Sequence, residues 1–223
     1  YVLSAEYETK KKQKFTAFAS VEPTNKADAD DIVTRARGAT WSVKEVTESP
    51  MKRTPRPPFT TSTLQQTASS RLGFSPSRTM RAAQKLYEAG FITYMRTDST
   101  NLASSAVEQI ATFVKKEYGE KYHEARLYKT KSKNAQEAHE AVRPTDVTKR
   151  KAGATEEEQR LYALIHARAV ASQMADAVMR KTRILAGADN LPDFVANGSL
   201  IAFDGWLAHD PDAKGEEVEL PEV

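Results

Sequence analysis

The sequence predicts a multidomain α+β protein in which a mainly helical domain, with a helix-turn-helix-like element, is inserted into a discontinuous β domain. Three observations lead there. Alternating apolar and polar residues, the period of a half-buried strand, occupy both ends of the 223-residue chain. Capped segments with helical spacing fill the middle. A proline-rich stretch, "PMKRTPRPPF" at residues 50–59, separates the first β part from the helices, because proline continues neither strand nor helix. The expected boundaries are 1–54 for the first β segment, 55–180 for the helical domain and 181–223 for the second β segment.

The elements follow in order. "QKFTAFASV" puts Phe15, Ala17 and Ala19 on one face and Thr16, Phe18 and Ser20 on the other, as a strand does. "ADADDIVTRARG" reads as a short helix, with acids in its first turn facing the helix dipole and Gly38 at its stop. "TWSVKEVTES" alternates again. "TSTLQQTASSRLG" opens on hydroxyl caps and ends at Gly73. "SPSRTMRAAQKLYEAG" has Ser75 as N-cap, Pro76 at the first helical position and Gly90 as stop. At 100° per residue, Arg78, Arg81 and Lys85 of this helix fall within about 60° of one another, and Met80, Ala83 and Tyr87 fall opposite. That pattern predicts one face for packing and one for an anion, and the two helices with their short connection resemble a helix-turn-helix. "SAVEQIATFVKKEYG" is expected to begin with a Ser105–Glu108 capping box and to bury Val107, Ile110, Ala111 and Val114. Another capping box, Thr155–Glu158, starts a long helix through "LYALIHARAVASQMADAVM". Strand signals return in "RILAGAD" and "DFVANGSLIAFDGW", followed by an acidic tail.

Composition narrows the chemistry. The absence of cysteine removes disulfides, thiolate metal sites and cysteine nucleophiles, and fits a cytoplasmic protein. No apolar run is long enough for a membrane span and no signal-peptide pattern opens the chain. The first residue is Tyr1 rather than methionine, so a piece of a longer protein is expected. Net charge is only +3, but it is unevenly spread. Lys52, Arg53, Arg56, Arg71, Arg78, Arg81, Lys85 and Arg96 face a single acid, Glu88, across residues 52–96, while six acids oppose Lys214 in residues 210–223. A basic middle points to a polyanion-binding surface, with a merely solvated basic face as the plain alternative.

The segment "GFITYMRTDST", residues 90–100, carries the sharpest chemical question. A phenol ionises near pH 10, so an unassisted tyrosine is a weak nucleophile at neutral pH. In an extended segment, residues i and i+2 share a side. Tyr94 and Arg96 can therefore flank one phosphate, the guanidinium holding its oxygens by charge-assisted hydrogen bonds. Asp98 shares that side and is expected to orient Arg96. Spacing alone favours a structural tyrosine over a nucleophile. In "AQEAHEAVRPTD", His139 and Arg143 share a face if the segment is a helical turn, which suits phosphate binding or proton relay, or simply a capped helix end. No metal-ligand spacing and no glycine-rich phosphate loop are present: the acids of "DADD" fit a helix start, and His123, His166 and His209 are scattered.

Taken together and in order, "PPFTTSTLQQTAS", "SPSRTMRAAQKLYEAGFITYMRTDST" and "NAQEAHEAVRPTD" resemble the bacterial type IA DNA topoisomerases, the topoisomerase I group, and "LIAFDGW" is similar too. The resemblance implies that Tyr94 attacks a DNA phosphodiester to form a 5′-phosphotyrosyl link and that Arg96 stabilises that phosphate. It implies that His139 helps bind DNA, that Arg143 contacts DNA and that Glu88 sits near the scissile phosphate. Arg78, Arg81 and Lys85 remain as supporting DNA contacts. The β domain would be the arch of a ring-shaped enzyme that relaxes negatively supercoiled DNA without ATP, acting through single-stranded DNA at the bacterial nucleoid. Magnesium is expected for the full enzyme, held by a Toprim domain that this chain does not match, as it does not match the domain forming the single-strand groove. On that reading the chain alone is inactive. The alternative is a non-enzymatic helix-turn-helix module that binds duplex DNA.

Overall fold

The computed structural model describes residues 1–128 and 140–223. They form two compact units, one of residues 1–53, 178–203 and 215–223, the other of residues 54–177 and 204–214.

The first unit is a five-stranded sheet flanked by one helix. Its strands are β1 (Ser4–Glu8), β2 (Lys14–Ala19), β3 (Ser42–Arg53), β4 (Ala177–Gly187) and β5 (Phe194–Phe203), in the order β1-β2-β5-β4-β3. β2 pairs antiparallel with β1 and β5, and β5 with β4. The alternation of β2 is real: Ala17 is fully buried while Thr16, Phe18 and Ser20 face solvent. Its buried face joins Ile184, Phe194 and Ala196, beside an edge-on aromatic cluster in which Trp41 lies 5.4 Å from Tyr7 and 5.1 Å from Phe194. Helix α1 (Lys26–Arg37) is capped by Asn25, whose side chain accepts from the Asp28 N–H at 2.9 Å. β3 is longer than expected. It runs through Pro50 to Arg53, which an exposed strand tolerates because the missing N–H need not enter a ladder.

The second unit is helical: α2 (Thr61–Leu72), α3 (Pro76–Glu88), α4 (Ser104–Tyr118) and α5 (Glu156–Ala171). Thr60 and Thr63 cap α2 reciprocally, and Gly73 ends it in the left-handed region at φ 69°. Ser75 caps α3 with Pro76 in its first turn. Thr155 caps α5, accepting from the Glu158 N–H at 3.3 Å, and Glu158 reaches back to the Ala154 N–H at 2.8 Å. The core joins Phe59, Leu64 and Leu86 to Ile92, Met95 and Ile165.

Several local expectations shift. The buried face of α3 is Thr79, Ala82, Ala83 and Leu86; Met80 is half-buried and Tyr87 is 41% exposed. The apolar wheel position was ambiguous because alanine and threonine pack as closely as the larger residues. The Ser105–Glu108 box does not form: α4 starts two residues earlier than that box would place it, after Ala103, which has no side-chain cap. The carboxylate of Glu140 instead accepts the Ala103 N–H at 2.6 Å. The buried stripe of α4 is Ala106, Ile110, Phe113 and Val114. α5 ends at Ala171, so Ala177–Met179 belong to β4. Residues 204–214, read from sequence as β, contain two short 3-10 turns and pack in the helical unit, where Asp210 pairs with Arg71 at 2.8 Å.

Candidate active site

Residues 90–100 run between two supports. On one side, the Thr61 hydroxyl at the start of α2 donates to the Met95 carbonyl at 2.8 Å and accepts from the Thr97 N–H at 2.9 Å. The Thr61 N–H donates to the Thr97 carbonyl, also at 2.9 Å. On the other side, the Thr93 N–H donates to the Arg143 carbonyl at 2.9 Å and the Thr93 hydroxyl to the Ala141 carbonyl at 2.7 Å. Thr145 closes this side with bonds to the carbonyls of Gly90 and Phe91. Gly90, at φ 75°, turns the chain out of α3 into the segment.

So supported, the segment alternates strictly from Tyr94 to Ser99. Met95, Thr97 and Ser99 are buried, and Tyr94, Arg96 and Asp98 project outward. Tyr94 is 50% exposed and its hydroxyl makes no hydrogen bond with the described residues. Its ring meets Tyr87 edge-on, centroids 5.2 Å apart at 64°. Arg96 is exposed and unpaired among the described residues, and Asp98 does not pair with it, contrary to the expected orienting role. A free phenol and a free guanidinium on one side of a rigid segment are suited to attack at, and charge neutralisation of, one phosphate.

Thr61→Val tests the rigidity. It keeps the shape of the side chain but orphans the Thr97 N–H and the Met95 carbonyl. A loss of about 1–3 kcal/mol in urea unfolding is expected. A valine variant as stable as wild type would show that the hydroxyl is not what clamps the segment.

The other sequence-predicted residues are placed differently. Arg143 lies in an extended stretch, residues 140–144, bridged to Phe59 and Ile92 rather than in a helical turn. Its guanidinium is committed internally, donating to both Glu140 carboxylate oxygens at 3.2 and 2.8 Å and to the Pro144 carbonyl at 3.0 Å. His139 lies outside the described residues. Glu88 is exposed in the last turn of α3 and accepts from Gln84 at 2.7 Å. Of the basic face, Arg78 donates twice to Glu157 and Lys85 lies 3.7 Å from Glu158, so two of the three cations meet the acidic first turn of α5. Arg78 holds the Glu157 carboxyl below its usual range. Arg81 is exposed and unpaired among the described residues.

Sequence reasoning missed Thr61, Thr93 and Glu140, since nothing in their local pattern marks them. It also treated His166 and His209 as scattered, yet the fold joins them. His166 Nε2 donates to the Val147 carbonyl at 2.8 Å, which leaves Nδ1 to accept from His209 Nε2 at 3.2 Å. His209 Nδ1 then accepts from the Tyr118 hydroxyl at 2.7 Å. Burial, with His166 and Arg150 nearby, lowers His209 to about 3, and burial lowers His166 as well. Among the described residues no group of three or more His, Asp or Glu side chains is placed to hold a metal ion.

Comparisons with known proteins fall on one family. The family model described as "DNA topoisomerase" matches residues 1–223. DNA topoisomerase 1 of Synechococcus elongatus is 45% identical over 204 residues, 86% of this chain and 23% of that protein. DNA topoisomerase 1 of Rickettsia bellii is 40% identical, covering 89% of this chain and 27% of that protein. The chain thus spans about a quarter of the length of these relatives. Full-length topoisomerase I from Thermotoga maritima superposes with a TM-score of 0.82 at 32% identity, over 100% of this chain and 38% of that one.

Proposed function

Since the chain belongs to the bacterial DNA topoisomerase family, we propose that it supplies the cleaving tyrosine of a type IA enzyme. The observation that carries this reading is the outward pair Tyr94 and Arg96 on the doubly supported segment, both without hydrogen-bond or ion-pair partners among the described residues. Tyr94 Oη attacks a DNA phosphorus. A P–O bond to tyrosine forms, the P–O3′ bond breaks, and the 5′ end stays on the protein. The phenol gives up one proton and the departing 3′ oxygen takes one. Bonds made and broken are of similar kind, so religation needs no ATP. Arg96 neutralises the oxygens that gain charge as the phosphorus is attacked. His139, Glu88 and Arg81 are assigned DNA-side support. Arg78, Lys85 and Arg143 contribute through the ion pairs that stiffen the helical unit, and to DNA only where those pairs yield.

The substrate is the single-stranded part of negatively supercoiled DNA, in a bacterial cytoplasm at the nucleoid. Magnesium chemistry and the single-strand groove belong, on this reading, to Toprim and groove domains of the same polypeptide outside this chain. The test is complementation. The chain is mixed with a Toprim-containing piece, magnesium and an oligonucleotide labelled at its 3′ end, then denatured. Label that remains on this chain supports the reading. Label that is free in every mixture, while a full-length relative retains it, rejects it. A duplex-reading helix-turn-helix module would instead prefer duplex over single strands at fixed salt.

A further inference from the structure

We infer that Tyr87 is a base-stacking contact for single-stranded DNA, built beside the nucleophile from the last turn of α3. Among the described residues of the helical unit, the large apolar side chains left exposed are Tyr87, Tyr94 and Leu127. The two tyrosines touch, with centroids 5.2 Å apart at 64°, so their exposed surfaces form one aromatic patch. An isolated exposed ring needs no explanation, but two exposed rings in contact, one of them the proposed nucleophile's, do. The helix turns Tyr87 outward because Thr79, Ala82, Ala83 and Leu86 already fill the packed face. Arg96, unpaired among the described residues, borders the patch in sequence, two residues beyond Tyr94. Exposed aromatic surface with a free cation beside it matches the chemistry of single strands, whose bases offer a π-face and whose backbone offers an anion.

The inference rests on the proposed role of Tyr94. If a phosphate sits on the Tyr94 hydroxyl, the nucleosides on either side of it lie within one nucleotide of the ring pair. One of those bases covers the exposed part of Tyr87. Stacking needs a ring but no particular base, so the contact is indifferent to sequence.

The test uses this chain as it is, titrated at fixed salt against a labelled oligothymidylate and an abasic oligomer of equal length. Wild type, Tyr87→Phe and Tyr87→Leu are compared, with thermal melts to confirm that each folds. On oligothymidylate, Tyr87→Phe is expected to bind within about 2-fold of wild type, and Tyr87→Leu to weaken binding by about 5- to 100-fold. On the abasic oligomer the three should bind alike, since the phosphates are unchanged. A leucine variant that loses equally on both oligomers, or on neither, overturns the stacking role while leaving the DNA reading intact. Wild type that binds neither oligomer defeats the DNA reading of this chain and the stacking contact with it.

Discussion

Tyr94→Phe is expected to abolish covalent adduct in the complementation reaction, to below about one part in 10⁴ of wild type, with no change in thermal unfolding. The two expectations come from the same geometry. Tyr94 Oη makes no hydrogen bond with the described residues, so deleting it orphans nothing. The phenylalanine ring keeps the edge contact with Tyr87, and Met95 and Thr97 keep the segment anchored. A side-chain oxygen that stabilises nothing and yet is essential to adduct is a reactive group rather than a structural one. Unchanged adduct in the variant would remove Tyr94 as the nucleophile. A large drop in melting temperature would mean instead that the hydroxyl has a folding role.

Acid is expected to weaken the helical unit through the buried histidine pair. His209, lowered to about 3 by burial and by His166 and Arg150, stays neutral in the folded chain where an ordinary histidine near 6.5 takes a proton. The sign follows directly. The unfolded chain binds the proton first as pH falls, so the stability held above pH 6.5 declines from there toward pH 3, at about 1.4 kcal/mol per pH unit. From pH 8 to pH 5, His209 alone accounts for about 2 kcal/mol, and lowered His166 adds in the same direction. The charged groups acting on the pair are Arg150 and Asp146, with the Tyr118 phenol on the far side, itself pushed up by burial. Urea unfolding followed through Trp206, buried three residues before His209, reads this locally. His209→Asn should be less stable at pH 8 and show a shallower acid slope. Equal losses between pH 8 and pH 5 in wild type and variant would rule the pair out as the source.

Much of the site was legible in the chain itself. The strand period put Tyr94, Arg96 and Asp98 on one side, and the structure turns that side outward while Met95, Thr97 and Ser99 are buried. The caps Ser75 and Thr155 and the stops Gly73 and Gly90 lie where local rules put them, while α2 is capped by Thr60, one residue before the stretch that signals the helix. Errors gathered where local rules compete. Ala83 and Met80 pack as the wheel predicted, but the buried face of α3 is centred on Thr79, Ala82 and Leu86, which leaves Tyr87 outside it. Ser105 and Glu108 have the spacing of a capping box, but Glu140, distant in sequence, takes the adjacent backbone N–H.

By itself, then, the sequence determined the α+β composition, the starts of α3 and α5, the placement of Tyr94 and Arg96 on one side of the chain and the family that three ordered motifs indicate. These depend on backbone preferences and side-chain periods that act within one or two turns. Only the tertiary structure decided what holds those residues. Thr61 clamps a backbone 34 residues away, Glu140 takes the guanidinium of Arg143, and His209 meets His166 across 43 residues. Which cations are ion-paired was decided there too, because the acids at the start of α5 engage Arg78 and Lys85 but leave Arg81 and Arg96 unpaired among the described residues. Those pairings arise when buried polar groups must find partners as the core closes, and the partner is whichever group packing brings within reach.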